Sequence, residues 1–133
     1  MAGQAAAGAM NARIFLPAAL LAAALSAPAR AAPSPQAERE TEQLIQALAQ
    51  SGCRFERNGS WYDAAQAQQH LRKKLAYLRK RGLADTAELF IERAGSESSF
   101  SGKPYQVQCG RAAATTSAAW LQAKLVQLRA ARP

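Results

Sequence analysis

The chain has 133 residues, a formal net charge of +8 and two cysteines, and 49% of its residues are hydrophobic. This length provides for one domain with one core but not for two. Two cysteines and one histidine without a short Cys/His spacing cannot assemble a zinc site. The sequence also lacks a phosphate-binding loop or other cofactor motif, so we expect neither a metal nor a cofactor.

Residues 1–31 have the three parts of a secretory signal peptide. They contain no acid and only two bases, Arg13 and Arg30, and an uncharged, largely apolar stretch, residues 14–27, lies between these bases. The Ala-Arg-Ala that ends the segment is a small-residue cleavage site, so we expect cleavage after Ala31. The apolar stretch is shorter than the roughly 20 residues that a membrane-spanning helix needs. We therefore expect no transmembrane segment in the mature chain.

Export to the periplasm limits what the positive charge can bind. Removing residues 1–31 removes two bases and no acid, which leaves 15 bases, 9 acids and a net charge of +6. Nucleic acid is not an expected partner of an exported protein. We expect instead an envelope protein or an anionic cell-wall or membrane surface. The sequence leaves open which partner this is, the oligomeric state, and whether translation begins at Met1 or Met10.

Apolar spacing and turn residues divide the mature chain into helices and short strands. Asp63, with Gln66 at capping-box spacing, marks one helix start. Asn58-Gly59 marks a hairpin, because both turn residues must adopt positive φ. In chain order the predicted elements are a disordered leader (32–36), a helix (37–51), hairpin strands (53–57 and 60–62), a helix (63–82), a helix opened by Asp85 (85–95), a polar loop (96–104), a strand (105–109), a loop (110–116) and a last helix capped by Ser117.

Cys53 and Cys109 occupy matching positions in two predicted strands. Alternation puts them on the same faces as Phe55 and Val107, so a bridge between them would clamp the sheet on its buried side. In an oxidising compartment such a pair favours a disulfide. By constraining the unfolded chain, this disulfide would stabilise the fold by about 4 kcal/mol in the loop-entropy model. We expect an α+β fold that is mostly helical, with about four helices, a two- to three-stranded antiparallel sheet and one disulfide.

Six basic residues on the second predicted helix form the densest charged feature of the chain. Helical periodicity places them away from the leucines of that helix, on its solvent side. We interpret them as a contact surface for an anionic partner, and a plain solvated helix face is the alternative. The residues are Arg72, Lys73, Lys74, Arg79, Lys80 and Arg81.

No residue pattern indicates catalysis. His70 is the only histidine, and its neighbours one helical turn away are cationic or neutral, so none of them would set its tautomer and pKa. The serines of residues 96–104 lack the G-x-S-x-G and S-x-x-K spacings that place a base beside a nucleophile. We therefore expect no catalytic residues and no enzymatic activity.

An ordered series of short motifs runs through the mature chain. The motifs are SGCRF (51–55), RNGS (57–60), HLRKKL (70–75), FIER (90–93), SSFSGKPY (98–105), Cys109 and SAAWL (117–121). This series resembles the YfeK-like family of small exported bacterial proteins, which is a domain of unknown function. The resemblance runs from about Glu42 to Arg129. It implies a single YfeK-like domain at residues 37–133, after the signal peptide and the leader, and it names no activity.

Residues 101–105, Ser-Gly-Lys-Pro-Tyr, are also similar to the S-G-x-x-Y loop of several families of periplasmic lysozyme inhibitors. That resemblance implies that Ser101 and Tyr105 contact the target, while Gly102 allows a tight turn next to Lys103. The alternative is a structural turn in which Tyr105 begins a strand and packs inward. We expect a periplasmic, non-enzymatic binding or accessory protein. An inhibitor of lysozyme or of another cell-wall hydrolase is the alternative function.

Overall fold

A computed structural model describes residues 3–4, 8, 13–15, 17–19, 22–23 and 32–133. Most of the predicted signal peptide, including the expected cleavage site at Ala31, lies outside the described residues. Among the residues that are described, none belongs to a helix with both the length and the apolar character needed to span a bilayer.

Residues 32–133 form four α-helices and a four-stranded antiparallel sheet. The helices are α1 (Pro35–Gln50), α2 (Ala64–Arg79), α3 (Ala87–Phe90) and α4 (Ser117–Ala130), and a π-helical turn (Ile91–Gly95) continues α3. The strands are β1 (Arg54–Arg57), β2 (Ser60–Tyr62), β3 (Gln106–Gln108) and β4 (Thr115–Thr116). They are hydrogen-bonded in the order β2-β1-β3-β4. The predicted α+β class with four helices is confirmed, and the sheet has one strand more than we expected.

The additional strand is β4, which lies inside the predicted loop 110–116. It pairs with β3, so that Gln106 faces Thr116 and Val107 faces Thr115. A strand of two exposed threonines is too short to show the alternation of apolar and polar residues from which strands are predicted. It therefore leaves no recognisable pattern in the sequence.

The first helix begins earlier than the sequence predicts. We expect residues 32–36 to be disordered, but Ser34 is the N-cap of α1 and its hydroxyl oxygen accepts a hydrogen bond from the Ala37 N–H at 3.1 Å. Pro35 follows at the first helical position, where its fixed φ suits the helix and its missing N–H has no helical partner to lose. The ordered domain consequently starts close to the expected cleavage site.

Two other helix starts differ by one residue from the predicted ones. Thr86, not Asp85, is the N-cap of α3, and Thr116, not Ser117, is the N-cap of α4. Each threonine hydroxyl accepts a hydrogen bond from the N–H three residues later, which is the N-cap geometry. Neighbouring residues of similar capping propensity are hard to separate from sequence alone.

The β1–β2 hairpin and the start of α2 follow the predicted local chemistry. Asn58 and Gly59 have φ values of 53° and 85°, as the Asn-Gly turn requires. Directly after β2, the Asp63 carboxylate accepts from the Gln66 N–H at 2.8 Å, and the Gln66 side chain accepts from the Asp63 N–H at 3.1 Å. This predicted capping box fixes the direction in which α2 leaves the sheet.

The predicted disulfide joins Cys53 to Cys109, with their Cα atoms 4.3 Å apart. Phe55 lies opposite Val107 in the pairing of β1 with β3, and continuing this register by one alternation places the two cysteines face to face. The core lies behind this face, where α1, α2, α3 and α4 pack together. Its most completely buried large side chains are Phe90, Leu44, Ile45, Leu48, Ile91, Leu121 and Val107.

Candidate functional site

Three of the four predicted binding residues, Ser101, Gly102 and Lys103, lie in a tight loop before β3, residues 98–103, which we call the 98–103 loop. At its base Glu97 pairs with Pro104, and the Ser98 N–H donates to the Lys103 carbonyl oxygen at 3.0 Å. Inside the loop, the Gly102 N–H donates to the Ser98 carbonyl oxygen at 2.8 Å. Gly102 has a φ of 71°, which a residue with a side chain rarely adopts. The loop is thus closed by its own backbone.

Side chains from inside and outside the loop fix it further. Ser98 is buried, and its hydroxyl oxygen accepts from the N–H groups of Phe100 and Ser101, both at 3.2 Å. The same oxygen accepts from the Asn58 side-chain amide at 3.1 Å. The Ser101 hydroxyl in turn donates to the Asn58 side-chain oxygen. The β1–β2 hairpin turn therefore braces the loop from outside.

The braced loop presents an apolar side chain to solvent. Phe100 is 96% exposed, and Ser101, Gly102 and Lys103 beside it are exposed as well. A single exposed apolar residue is ordinary on a protein surface. Here, however, the backbone that carries Phe100 is already ordered. The loop would therefore lose little backbone conformational entropy if a partner buried Phe100.

Tyr105, the fourth predicted binding residue, lies apart from the other three. Only 6% of it is exposed, and it points toward α2 instead of solvent. Its hydroxyl oxygen contacts the Lys74 ammonium at 3.1 Å and His70 Nε2 at 2.9 Å. Lys74 also donates to the Glu97 carbonyl oxygen at 2.9 Å, at the base of the 98–103 loop. The structure thus separates an exposed loop from a buried tyrosine.

The protonation of His70 follows from its partner on the hairpin. An NH1 group of the Arg57 guanidinium lies 2.8 Å from His70 Nδ1. A guanidinium can only donate, so Nδ1 accepts, and Nε2 carries the proton that is donated to the Tyr105 hydroxyl oxygen. Burial, together with the charges of Arg57, Lys74 and Lys73, lowers the pKa of His70 to about 4. His70 is therefore neutral at pH 7.

Burial also favours the neutral forms of Lys74 and Tyr105, which contact each other and, through Tyr105, His70. It lowers the pKa of Lys74 and raises the pKa of Tyr105. Tyr105 consequently stays a phenol, and the accepting nitrogen of His70 is occupied by Arg57. Neither group is placed to accept a proton from a substrate. Within the described residues, no group of three or more His, Cys, Asp or Glu side chains could hold a metal ion.

A cavity of about 230 Å³ lies beside this cluster, between α2 and the sheet. Apolar side chains line part of it, and Arg57, His70, Lys73 and the Tyr105 ring line the rest. Sequence reasoning missed this site because its residues come from α1, β1, β2, α2, α4 and the residue directly before β3. Nothing in the spacing of His70 along its own helix indicates partners that lie so far away in the chain.

The six residues of the predicted basic surface have different surroundings. Arg72 makes a two-point ion pair with Glu42 of α1, at 2.6 and 3.0 Å. Lys74 is half-buried in the cluster with His70 and Tyr105. Arg81 lies over the Tyr77 ring, with its guanidinium carbon 3.6 Å from the ring centre. Arg81 is nevertheless exposed, as are the remaining three residues, Lys73, Arg79 and Lys80.

Comparison with known proteins places this chain in a family. The family of unknown function DUF5329 matches residues 35–129, and the chain belongs to this family. It is similar to the "Uncharacterized protein YfeK" of Salmonella typhimurium (strain LT2), with 41% identity over 88 residues that cover 65% of this chain and 72% of that protein. The predicted YfeK-like membership is thereby confirmed. No solved structure matches the chain.

Proposed function

We propose that the protein is an exported, non-enzymatic accessory protein of the periplasm that binds another protein through the 98–103 loop. The observation that carries this proposal is the 96% exposure of Phe100 on a loop braced by Ser98 and Asn58. Aromatic side chains are effective anchors in protein interfaces, and an ordered backbone lowers the entropy cost of binding them. The loop has this combination of exposure and order.

Two features support the export of the chain. Residues 1–31 have the pattern of a cleaved signal peptide, and the domain contains a disulfide, Cys53–Cys109. Disulfides persist in oxidising compartments and are rare in the reducing cytosol. Helix α1 begins at Pro35, so cleavage after Ala31 leaves every helix and strand of the domain intact.

A binding role fits the chemistry of the buried cluster better than an enzymatic one. The only histidine is neutral, with a pKa of about 4, and its accepting nitrogen is taken by Arg57. The raised pKa of Tyr105, which burial causes, keeps its hydroxyl protonated. These groups are arranged to hold the loop base and the cavity wall in place.

A protein partner is also better supported than an anionic cell-wall or membrane surface. Of the six basic residues on the second predicted helix, Arg72 is paired with Glu42 and Lys74 is half-buried. Membrane or polymer adhesion depends on a summed positive charge that faces one way. The exposed remainder, Lys73, Arg79, Lys80 and Arg81, is a smaller patch than the sequence alone indicates.

Inhibition of a cell-wall hydrolase is a second candidate function, favoured by the exposed Ser101 and Lys103 beside Phe100. A rigid loop of this kind can enter an enzyme cleft, where a lysine would be attracted to the catalytic carboxylates. In this form of the hypothesis Tyr105 does not touch the target, because it is buried against α2. The contacts come from the loop tip instead.

Partner capture from periplasmic extract tests the main proposal. Immobilised mature protein, residues 32–133, should retain a specific protein that Phe100→Ala loses by about tenfold or more. Val126→Ala is the matched control, since Val126 is an exposed apolar residue, 67% accessible, on α4. Equal capture by wild type and Phe100→Ala would contradict the proposal.

Enzyme assays test the second candidate separately. The mature protein should reduce the activity of at least one lysozyme class or wall hydrolase at stoichiometric amounts, and Phe100→Ala and Lys103→Gln should abolish that effect. Tyr105→Phe should leave it unchanged. If no hydrolase is inhibited while a partner is still captured, the inhibitor hypothesis fails and the binding role stands.

A further inference from the structure

Apolar and cationic side chains line the cavity between α2 and the sheet. We call the apolar lining its floor and the cationic lining, Arg57 and Lys73, its rim. Leu48, Phe55, Ala67 and Leu71 contribute the floor. Its volume of about 230 Å³ is below the range usual for drug-sized ligands, so a smaller molecule fits it. Floor and rim together suit a compound with one compact apolar part and one polar part.

Two cations on the rim have no acidic partner. Arg57 lies over the Tyr62 ring, with its guanidinium carbon 5.1 Å from the ring centre, and Lys73 is exposed. Within residues 32–133, neither forms a salt bridge. The one acid among the lining residues, Glu56, accepts from the Gly59 N–H in the hairpin turn. The Glu56 carboxylate keeps its negative charge, but it offsets only one of two cations, so the charged lining residues, Arg57, Lys73 and Glu56, remain net positive.

The hydrogen bonds of the cluster leave mainly donors for a ligand. Because the Tyr105 hydroxyl oxygen accepts from His70 Nε2 and from Lys74, both of its lone pairs are used and only its proton remains to be donated. Arg57 and Lys73 can only donate. A ligand that meets these groups must accept hydrogen bonds, as a carboxylate or a phosphate does.

The pKa of His70 expresses the effect of these same cations on a neighbouring group. After burial, the charges of Arg57, Lys74 and Lys73 are the causes that hold its pKa at about 4. A potential that opposes the protonation of an imidazole favours an anion at the same position.

We propose that this cavity binds a small organic anion, a carboxylate or phosphate attached to a compact apolar group, with the charge facing Arg57 and Lys73. The anion would supply the negative charge that the rim lacks, and the apolar group would cover Phe55 and Leu71. This site is separate from the 98–103 loop, so it stands or falls independently of the proposed protein partner.

NMR titration of the mature protein with four probes tests the proposal. Benzoate and phenyl phosphate carry the two candidate anionic groups, benzamide is the neutral analogue, and inorganic phosphate lacks the apolar part. At least one of the two aromatic anions should shift the amide signals of Ala67 and His70 saturably, at concentrations below about 10 mM. Benzamide and inorganic phosphate should bind at least about tenfold more weakly. The tighter aromatic anion identifies the headgroup.

Charge-removing variants make the test specific. Arg57→Gln and Lys73→Gln should each weaken the binding of that anion by about tenfold, as the loss of a charge-assisted hydrogen bond does. Lys80→Gln is the control, because it removes the same charge from an exposed position beyond the end of α2. Circular dichroism checks that each variant is folded, and exposed Lys73 gives a usable variant even if Arg57→Gln unfolds.

Three results would overturn the proposal. The first is the absence of saturable shifts with both aromatic anions, and the second is equal binding of benzamide. The third is unchanged affinity in folded Lys73→Gln. Equal binding of inorganic phosphate and phenyl phosphate would overturn the assignment of the apolar floor as part of the site.

Discussion

Two regions of the molecule use arginine in opposite ways. Between α1 and α4, Arg129 and Arg132 both donate to the buried carboxylate of Glu40, at distances of 2.7 to 3.0 Å. Arg129 also pairs with Glu88 of α3. The hydrogen bond from Arg129, reinforced by the charges of both arginines, lowers the pKa of Glu40 against the opposing effect of burial. Every charge there has an opposite charge beside it.

Around His70 and Tyr105, where β1, α2 and the base of the 98–103 loop meet, Arg57 and Lys74 have no such ion pair within the described residues. Arg57 donates to a neutral imidazole, and Lys74 donates to a tyrosine hydroxyl oxygen and a backbone carbonyl oxygen. These two cations are therefore satisfied as donors without a carboxylate partner in a salt bridge. Charge in the first region ties helices together, whereas in the second it orders the base of the 98–103 loop and lines the cavity.

The largest expected effect is the loss of Glu40. Glu40→Gln leaves Arg129 and Arg132 without their shared carboxylate, so the free energy of unfolding should fall by about 2–3 kcal/mol. Urea denaturation at pH 7 measures it. Glu92→Gln, an exposed position without a salt bridge in the described residues, should change stability by less than about 0.5 kcal/mol. A Glu40→Gln protein as stable as wild type would show that the ion pairs of Glu40 do not tie the helices together.

The second effect is a pH dependence of the free energy of unfolding, which arises from His70. The pKa of His70 is about 4 in the folded chain, below the ordinary value of 6.5, so the unfolded chain takes up a proton first. The stabilisation from neutral His70 is therefore complete above pH 6.5 and is lost as the pH falls toward 4. Wild type should lose about 1–2 kcal/mol between pH 7 and pH 5.

His70→Gln should lose markedly less than wild type over the same interval, because glutamine does not titrate. The lowered pKa values of Glu40 and Glu42, which hydrogen bonds from Arg129 and Arg72 cause, act only below about pH 4.5. Urea denaturation at the two pH values separates these contributions. Parallel losses in wild type and His70→Gln would show that His70 is not the source.

A third effect concerns the brace of the 98–103 loop. Ser98→Ala leaves three donors, on Phe100, Ser101 and Asn58, without their common acceptor. Since Ser98 is buried, the stability should fall by about 1 kcal/mol, and amide exchange in the loop should become faster. Ser99→Ala is the adjacent control at an exposed position. Equal exchange rates in the two variants would show that the hydroxyl does not brace the loop.

The smallest effect isolates the charge on the rim of the cavity. Arg57 is the foremost charge acting on His70 after burial, so Arg57→Gln should raise the pKa of His70 while burial keeps it below the ordinary value. His70 is the only histidine, which makes its ring signals easy to follow by NMR. Lys80→Gln should leave the titration unchanged. An unaltered pKa in folded Arg57→Gln would argue against a positive rim.

Local chemistry was the part of the fold that the sequence could predict. The Asn58-Gly59 turn, the Asp63–Gln66 capping box and the Cys53–Cys109 bridge depend on neighbouring residues or on strand alternation, and the structure contains all three. The N-caps of α3 and α4, Thr86 and Thr116, each differ by one residue from the predicted ones, because adjacent polar residues cap a helix almost equally well.

The candidate site was less predictable because its contacts join distant parts of the chain. The partners of His70 are Arg57 and Tyr105, which lie 13 and 35 residues away, and helical spacing carries no information about them. The alternation of β3 did offer inward packing of Tyr105 as an alternative. The motif Ser101-Gly102-Lys103-Pro104-Tyr105 pointed the other way, because it made the tyrosine resemble a contact residue, and the structure shows the inward packing.

Photo-crosslinking in living cells tests the central claim, that the 98–103 loop binds a protein partner, most directly. The photoreactive analogue p-benzoylphenylalanine replaces Phe100 in one strain and Val126 in another, so that both positions are exposed and apolar. Our account predicts a discrete crosslinked product in the periplasmic fraction from position 100 and none from position 126. Crosslinks from position 126 alone, or from neither position, would contradict it.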